Sequence, residues 1–456
     1  MNHETPAIIK PTLWSRAREM ALKAPPQRNR YVDFLRAFSI LAVVTGHWLV
    51  AAPSIKNGAV QGGHLLGILP WTQWLTWGFQ VMPIFFLVGG FSNALSWSAT
   101  VRNGGNYSQW FTGRVKRLIA PVLPLFFIWS LFALFGTAAG VDRKIVELAA
   151  QLALIPVWFL SVYMIVTAAV PISHAAWKRY GLASFWGLVS AAICVDVAAL
   201  AFDVKYINFT NFAFVWIAIH QLGYAWSEGY FAPGRRALIW CAAGFAALCL
   251  LVGFGPYPVA MLGVPGSNLS NSMPPTLAIL ALGVWQTGLA MMLEPAAKKM
   301  LGNIRIWTGV VLLNGMIMTV YLWHLTAFVL VLVAAWLLGG IGLEVSPGSA
   351  AWWAARPIWF VLYITALLPL IMVFSRFERV RGADTGAVFA AHWRLMLGSL
   401  LVCAGLAATA AISIASPQGV TGLRIWIVVM PFIGAALIGF GPGHRLLRGS
   451  SYTSSS

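Results

Sequence analysis

The chain has 456 residues, 59% hydrophobic and 9% charged, with a net charge of +18. A soluble domain carries about 25% charged residues, so with a mean hydropathy of +0.78 the composition excludes a soluble globular protein. At about 20 apolar residues per crossing, there is room for ten to twelve spans and for no large soluble domain. Nucleic acid is not an expected partner, because lysine and arginine collect in the cytoplasmic loops of membrane proteins. The expected fold class is an all-α polytopic membrane protein with about 10–12 transmembrane helices, its ends both cytoplasmic, and the lipid bilayer as its surroundings.

Residues 1–33 form a basic cytoplasmic segment without a visible cleavable signal peptide. Within it, KPTLWSRAREMALKA (10–24) reads either as a short basic helix on the anionic inner leaflet or as a solvated tail. The membrane domain covers 34–442, and a polar cytoplasmic tail, ending in GSSYTSSS, covers 443–456. Apolar runs predict spans at 34–53, 78–98, 118–138, 153–173, 183–202, 209–227, 237–255, 274–293, 308–337, 356–375, 395–414 and 423–441. The run 308–337 is long enough to tilt or to enclose a break near Gly315. With this threading, 23 of the 30 Lys and Arg residues fall on the side of the termini, six on the other, and Arg36 inside the first span. That asymmetry orients the chain with both termini inside. The four cysteines lie in apolar runs without metal-ligand spacing and are expected as small buried hydrophobes. No metal site, Walker loop or dinucleotide glycine fingerprint is present in the sequence. No repeat of one half by the other is visible, which weakens a transporter reading.

Ionisable groups inside a bilayer are functional candidates. Here they are Arg36, His47, Asp196, His220 and His324. Arg36 and His47 lie in RYVDFLRAFSILAVVTGHWLV (30–50). Eleven residues turn about 1100° and rise roughly 16 Å, which returns to the same face three turns deeper. Asp33 and Arg36, at i,i+3, equally suit a simple headgroup anchor. Asp196 and His220 suit polar glue between helices. His3, His64, His174, His392 and His444 fall in loops or near span ends and have no assigned role. Trp71, Trp74 and Trp77 fit an interfacial aromatic belt better than a sugar platform.

Arg-x10-His within YVDFLR…GH resembles acyltransferase family 3, integral-membrane enzymes that acylate extracytoplasmic glycans and glycolipids in bacteria. FFLVGGFSNAL (85–95) is similar to the family's FFxxSGF element, with Gly89 where serine is usual. FTGRVKRLIAPVLPLF (111–126) resembles its Arg-x-x-Arg loop, with Arg114 and Arg117. VWFLSVYMIVTAAVP (157–171) and VYLWHLTAF (320–328) resemble its WxLS and YLxH elements. The resemblance spans roughly residues 31–375 and keeps the family's order.

It implies an O-acetyltransferase-type enzyme of the inner or plasma membrane, with no permanently bound cofactor. The donor is acyl-CoA, expected as acetyl-CoA, from the cytoplasm. The acceptor is a hydroxyl of an envelope glycan or glycolipid. Arg114 and Arg117, with Lys116 beside them, are placed for the donor's phosphates, and Arg36 for phosphate or the start of the arm. His47 is the expected catalytic base or, alternatively, an acyl-carrying nucleophile. His324, with Tyr321 one turn before it, is expected to orient the donor or stabilise charge on the thioester oxygen. The competing readings are a twelve-span transporter or lipid flippase and an inactive relative acting as an assembly partner.

Overall fold

The computed structural model describes residues 12–56, 59–231, 234–378, 391–418 and 421–444. Lys10, Arg379, Arg381, Arg445, Arg448, His3 and the serine-rich tail lie outside them. The described chain is overwhelmingly helical. Its one sheet is a two-stranded antiparallel hairpin, Ser54–Lys56 with Ala59–Gln61, in the loop after the first long helix. Sequence periodicity did not announce it.

Among the described residues, nine helices are long and apolar enough to cross a membrane, and they coincide with nine of the twelve expected spans. The other three take different forms. Around 153–173, helices Arg143–Leu154 and Val157–Ala168 meet at a 41° bend. Segments 209–227 and 423–441 hold helices of 17 and 14 residues, Asn211–Ser227 and Ile425–Ile438. The basic segment near the N-terminus does form a helix, Leu13–Leu22, capped by Thr12. It docks through buried Ala17 and Ala21, whose carbonyl accepts from Trp307 Nε1 at 3.2 Å.

Lipid tails are as apolar as leucine, so close backbone approach must hold such a bundle together. The Met82–Arg102 and Asn211–Ser227 helices cross at Gly90 and Gly223. A Cβ at Gly90 would stand 1.9 Å from the His220 carbonyl oxygen, and one at Gly223 2.2 Å from that of Leu87. Neither position admits a side chain.

The apolar run 308–337 is broken at Gly315–Met316, giving helices Ile304–Asn314 and Ile317–Leu337. A restarting helix exposes backbone N–H groups that need acceptors. Glu378, at the far end of the Ala350–Phe374 helix, supplies them. Its carboxylate accepts from Met318 N at 3.0 Å, Thr319 N at 3.1 Å and Thr319 Oγ1 at 2.9 Å.

Asp196 and His220 prove to be ties. Asp196 accepts from Asn211 Nδ2 (2.7 Å), Tyr257 OH (2.8 Å) and Leu277 N (2.9 Å), joining three parts of the chain. His220 is fully buried between Asn93 Nδ2 (3.2 Å) and Tyr224 OH (3.0 Å), and Tyr224 OH lies 2.8 Å from Ser173 Oγ. The cysteines depart from expectation. Cys194 and Cys249 are exposed on the outside of the bundle and Cys241 and Cys403 are half-buried, because an outer helix face in lipid tolerates a small apolar side chain as readily as a core does.

Candidate active site

The Arg30–Val50 helix starts on Asn29, whose side chain accepts from Tyr31 N and Val32 N. Its inward face carries Arg36 and, three turns on, His47, as the spacing predicts. His47 meets His324 of the Ile317–Leu337 helix. The two rings lie parallel (3° between planes), with His47 Nδ1 2.8 Å from His324 Nε2.

The rest of the hydrogen bonding fixes where the protons sit. His324 Nδ1 is 2.6 Å from the Tyr321 carbonyl oxygen, which only accepts, so this nitrogen carries the hydrogen. In the neutral ring Nε2 is then a bare acceptor, so His47 Nδ1–H donates to it. His47 Nε2 is left with a free lone pair. Both nitrogens of His324 are occupied, so it cannot itself contact a donor or an oxyanion as the sequence suggested. It holds His47, and Trp48 Nε1 in turn holds the His324 carbonyl at 3.1 Å. The Tyr321 hydroxyl is likewise committed, to the Pro156 carbonyl at 2.7 Å.

Two cavities flank this machinery. The first, of ≈ 80 Å³, is lined by His47 with Gly46, Val43, Leu66, Phe79 and Met82, among others. The second, of ≈ 410 Å³, lies toward the end of the bundle that carries the Arg-x-x-Arg pair, which sits on the Tyr107–Ile119 helix and not in the loop the sequence suggested. Arg36, Arg114 and Arg117 all line it, together with Tyr163 and Glu378. Lys116 does not; it points outward and is exposed.

Two serines missed by the sequence reading set the arginines. Ser92 Oγ accepts from Arg36 Nη2 at 3.2 Å, Ser96 Oγ accepts from Arg114 Nη2, and Arg114 Nη2 also reaches the Ser92 carbonyl at 3.4 Å. Asp33 faces Arg36 Nη1 at 3.5 Å but binds Arg28 Nε more closely, at 2.6 Å. Arg36 is therefore more than a headgroup anchor to Asp33. At Gly89, where the family pattern favours serine, a Cβ would stand 2.8 Å from the Tyr163 ring and hydroxyl. Tyr163 takes the room that a side chain there would need.

The cavities share no lining residue. The changeover takes two or three residues on each helix: Ile40 to Ala42, Phe85 to Met82, and Met318 to Tyr321. Aromatic rings fill the partition. Buried Phe159 stands edge-on to Phe85 (centroids 4.8 Å) and to Tyr321 (6.0 Å), beside Tyr163 (5.7 Å). Elsewhere, Trp71 and Trp74 are exposed, whereas Trp77 is buried with Nε1 on the Val259 carbonyl. His64, passed over in the sequence, pairs its backbone with Ala51 one turn beyond His47, and its Nδ1 is buried without a hydrogen-bond partner. Among the described residues, no group of three or more His, Cys, Asp or Glu is placed to hold a metal ion.

A polytopic helical protein with a stacked imidazole pair between its helices and an arginine-lined cavity beside it has the build of a membrane enzyme. A family model described as an acyltransferase domain, acyltransferase family 3, matches residues 29–376, and the chain belongs to that family. It is a multi-pass membrane acyltransferase. No curated protein and no solved structure matches it. The His392–Ile412 helix lies beyond the family match but is part of the same bundle, with the Cys403 carbonyl accepting from Ser161 Oγ at 3.0 Å.

Proposed function

We propose that this chain transfers an acetyl group from cytoplasmic acetyl-CoA to a hydroxyl of an envelope glycan or glycolipid on the far side of the bacterial inner membrane. The observation that carries the reading is the bare Nε2 of His47, with its tautomer set by His324 and Tyr321, standing beyond a cavity lined by three guanidiniums. Arginine forks suit the nucleotide phosphates of CoA, and Arg36, Arg114 and Arg117 would hold them at the basic end. Exposed Lys116 adds long-range attraction rather than contact. The pantetheine arm carries the thioester past the partition to His47.

There the acceptor O–H gives its proton to His47 Nε2 as its oxygen attacks the thioester carbonyl carbon. The new C–O bond forms, the C–S bond breaks, and the CoA thiolate takes the proton back from the imidazolium to leave as free thiol. Imidazole is suited to this shuttle near neutral pH. His324 accepts from Nδ1–H throughout and so steadies the charged ring.

The test measures free CoA thiol released from acetyl-CoA by protein in nanodiscs supplied with crude envelope glycolipid. Parent and Cys194→Ala release thiol; His47→Ala releases none, and Arg36→Ala requires more donor. If acetyl-CoA neither binds the parent nor loses its acyl group, this assignment is wrong.

A further inference from the structure

We infer, resting on the acyltransfer reading above, that the histidine cavity selects the acyl group by size and charge. Gly46 and Phe79 set the limit at two or three uncharged carbons. An engineered apolar cavity of about 150 Å³ holds benzene, six heavy atoms. At the same filling, the ≈ 80 Å³ beside His47 holds about three, the number in an acetyl group.

The walls argue against a charged acyl group. No lysine or arginine lines the cavity. Three of its polar side chains are engaged with backbone: Thr72 Oγ1 donates to the Leu69 carbonyl at 2.6 Å, Thr76 Oγ1 to the Gln73 carbonyl, and Gln80 Nε2 to the Met261 carbonyl at 3.3 Å. A succinyl carboxylate would enter with no cation to pair with it, and an unpaired buried charge is strongly disfavoured.

The size limit has a specific location. Gly46 precedes His47, and a Cβ built on it would lie 3.5 Å from Phe79 Cδ1, an ordinary contact. Alanine therefore fits there without displacing the helix, while its methyl takes up cavity space. Phe79, the side chain that methyl would meet, also lines the cavity and is itself partly exposed, so it can be truncated without hollowing the core.

The experiment compares thiol release from acetyl-, propionyl-, butyryl-, succinyl- and octanoyl-CoA by the full chain in nanodiscs, with crude envelope glycolipid as acceptor. Since one methylene in a fitted pocket changes rates about 10- to 200-fold, the parent should prefer acetyl over butyryl by at least about tenfold and spare succinyl-CoA. Gly46→Ala should lower the propionyl-to-acetyl ratio about tenfold, and Phe79→Ala should raise the butyryl-to-acetyl ratio by a similar factor. Each ratio is taken within one preparation, so partial misfolding leaves it unchanged. A parent that uses octanoyl- or succinyl-CoA as fast as acetyl-CoA overturns the size and charge limit while leaving acyl transfer standing. So do active variants with unaltered ratios. Absence of release from every acyl-CoA overturns the transfer reading itself, and this inference with it.

Discussion

His47 and His324 are 277 residues apart in sequence, yet their imidazoles lie parallel, with Nδ1 and Nε2 2.8 Å apart. Supporting groups of this kind are commonly worth about 10- to 100-fold in activity. His324→Ala should lower kcat by that order while leaving the KM for acyl-CoA near the parent value. His324→Gln places an amide oxygen where Nε2 stood and should restore part of the loss. Equal loss in both variants would mean that only packing is at stake.

The serines that hold the guanidiniums should show the opposite kinetic pattern. A hydrogen bond to a charged group contributes about 1.5–3 kcal/mol. Ser96→Ala is therefore expected to raise the KM for acyl-CoA roughly tenfold with kcat little altered, because Arg114 loses its anchor and not its charge. Titrating the variant with acyl-CoA at two salt concentrations checks this, since the arginine-phosphate attraction itself should still weaken with salt.

Glu378 bears on stability as much as on the site. A capping side chain typically contributes about 1 kcal/mol, so Glu378→Ala should lower the melting temperature measurably in detergent. It should also lower activity, because it loosens the helix that carries His324. A thermal-shift series covering Glu378→Ala and Glu378→Gln reads the first effect, and thiol release the second.

The partition predicts a leak. Phe159→Leu should raise acetyl-CoA hydrolysis in the absence of acceptor relative to productive transfer, because a smaller side chain lets water follow the thioester. An unchanged ratio would show that Phe159 is ordinary core.

His64 gives a pH signature. Burial holds its pKa below the ordinary 6.5, so in acid the unfolded chain binds a proton that the folded one resists. Its contribution to stability is then full above 6.5 and is lost as the pH falls below that value. His64→Gln should flatten the acid side of a melting-temperature profile taken from pH 8 to pH 5 by comparison with the parent.

Features repeated every 3.6 residues were legible in the sequence. Arg36 and His47 share a face because 1100° is nearly three turns. The same arithmetic separates Lys116 from its neighbours: Arg114 and Arg117 are i,i+3 partners, whereas Lys116 is two residues from Arg114 and turned away. Ser92 and Ser96, at i,i+4 on an apolar helix, also left a readable signal. Long-range pairings left none. Nothing local told that His324 would face His47, or that Glu378 would cap a helix beginning sixty residues earlier. Asp196 looked like a candidate for chemistry by its cost in lipid, and only its three partners reveal a clasp. The 53–63 loop carried too few alternating residues to announce a hairpin.

The wall between the two cavities takes up less than one helical turn, roughly 3–5 Å of rise. An enzyme built this way would have no need for an open conduit between compartments. A slender arm reaching through a ring of aromatic side chains can deliver two carbon atoms while its bulky, charged carrier stays docked on the side it came from. Ions and nucleotides would then remain where they are, and the energy stored across the bilayer would survive every turnover.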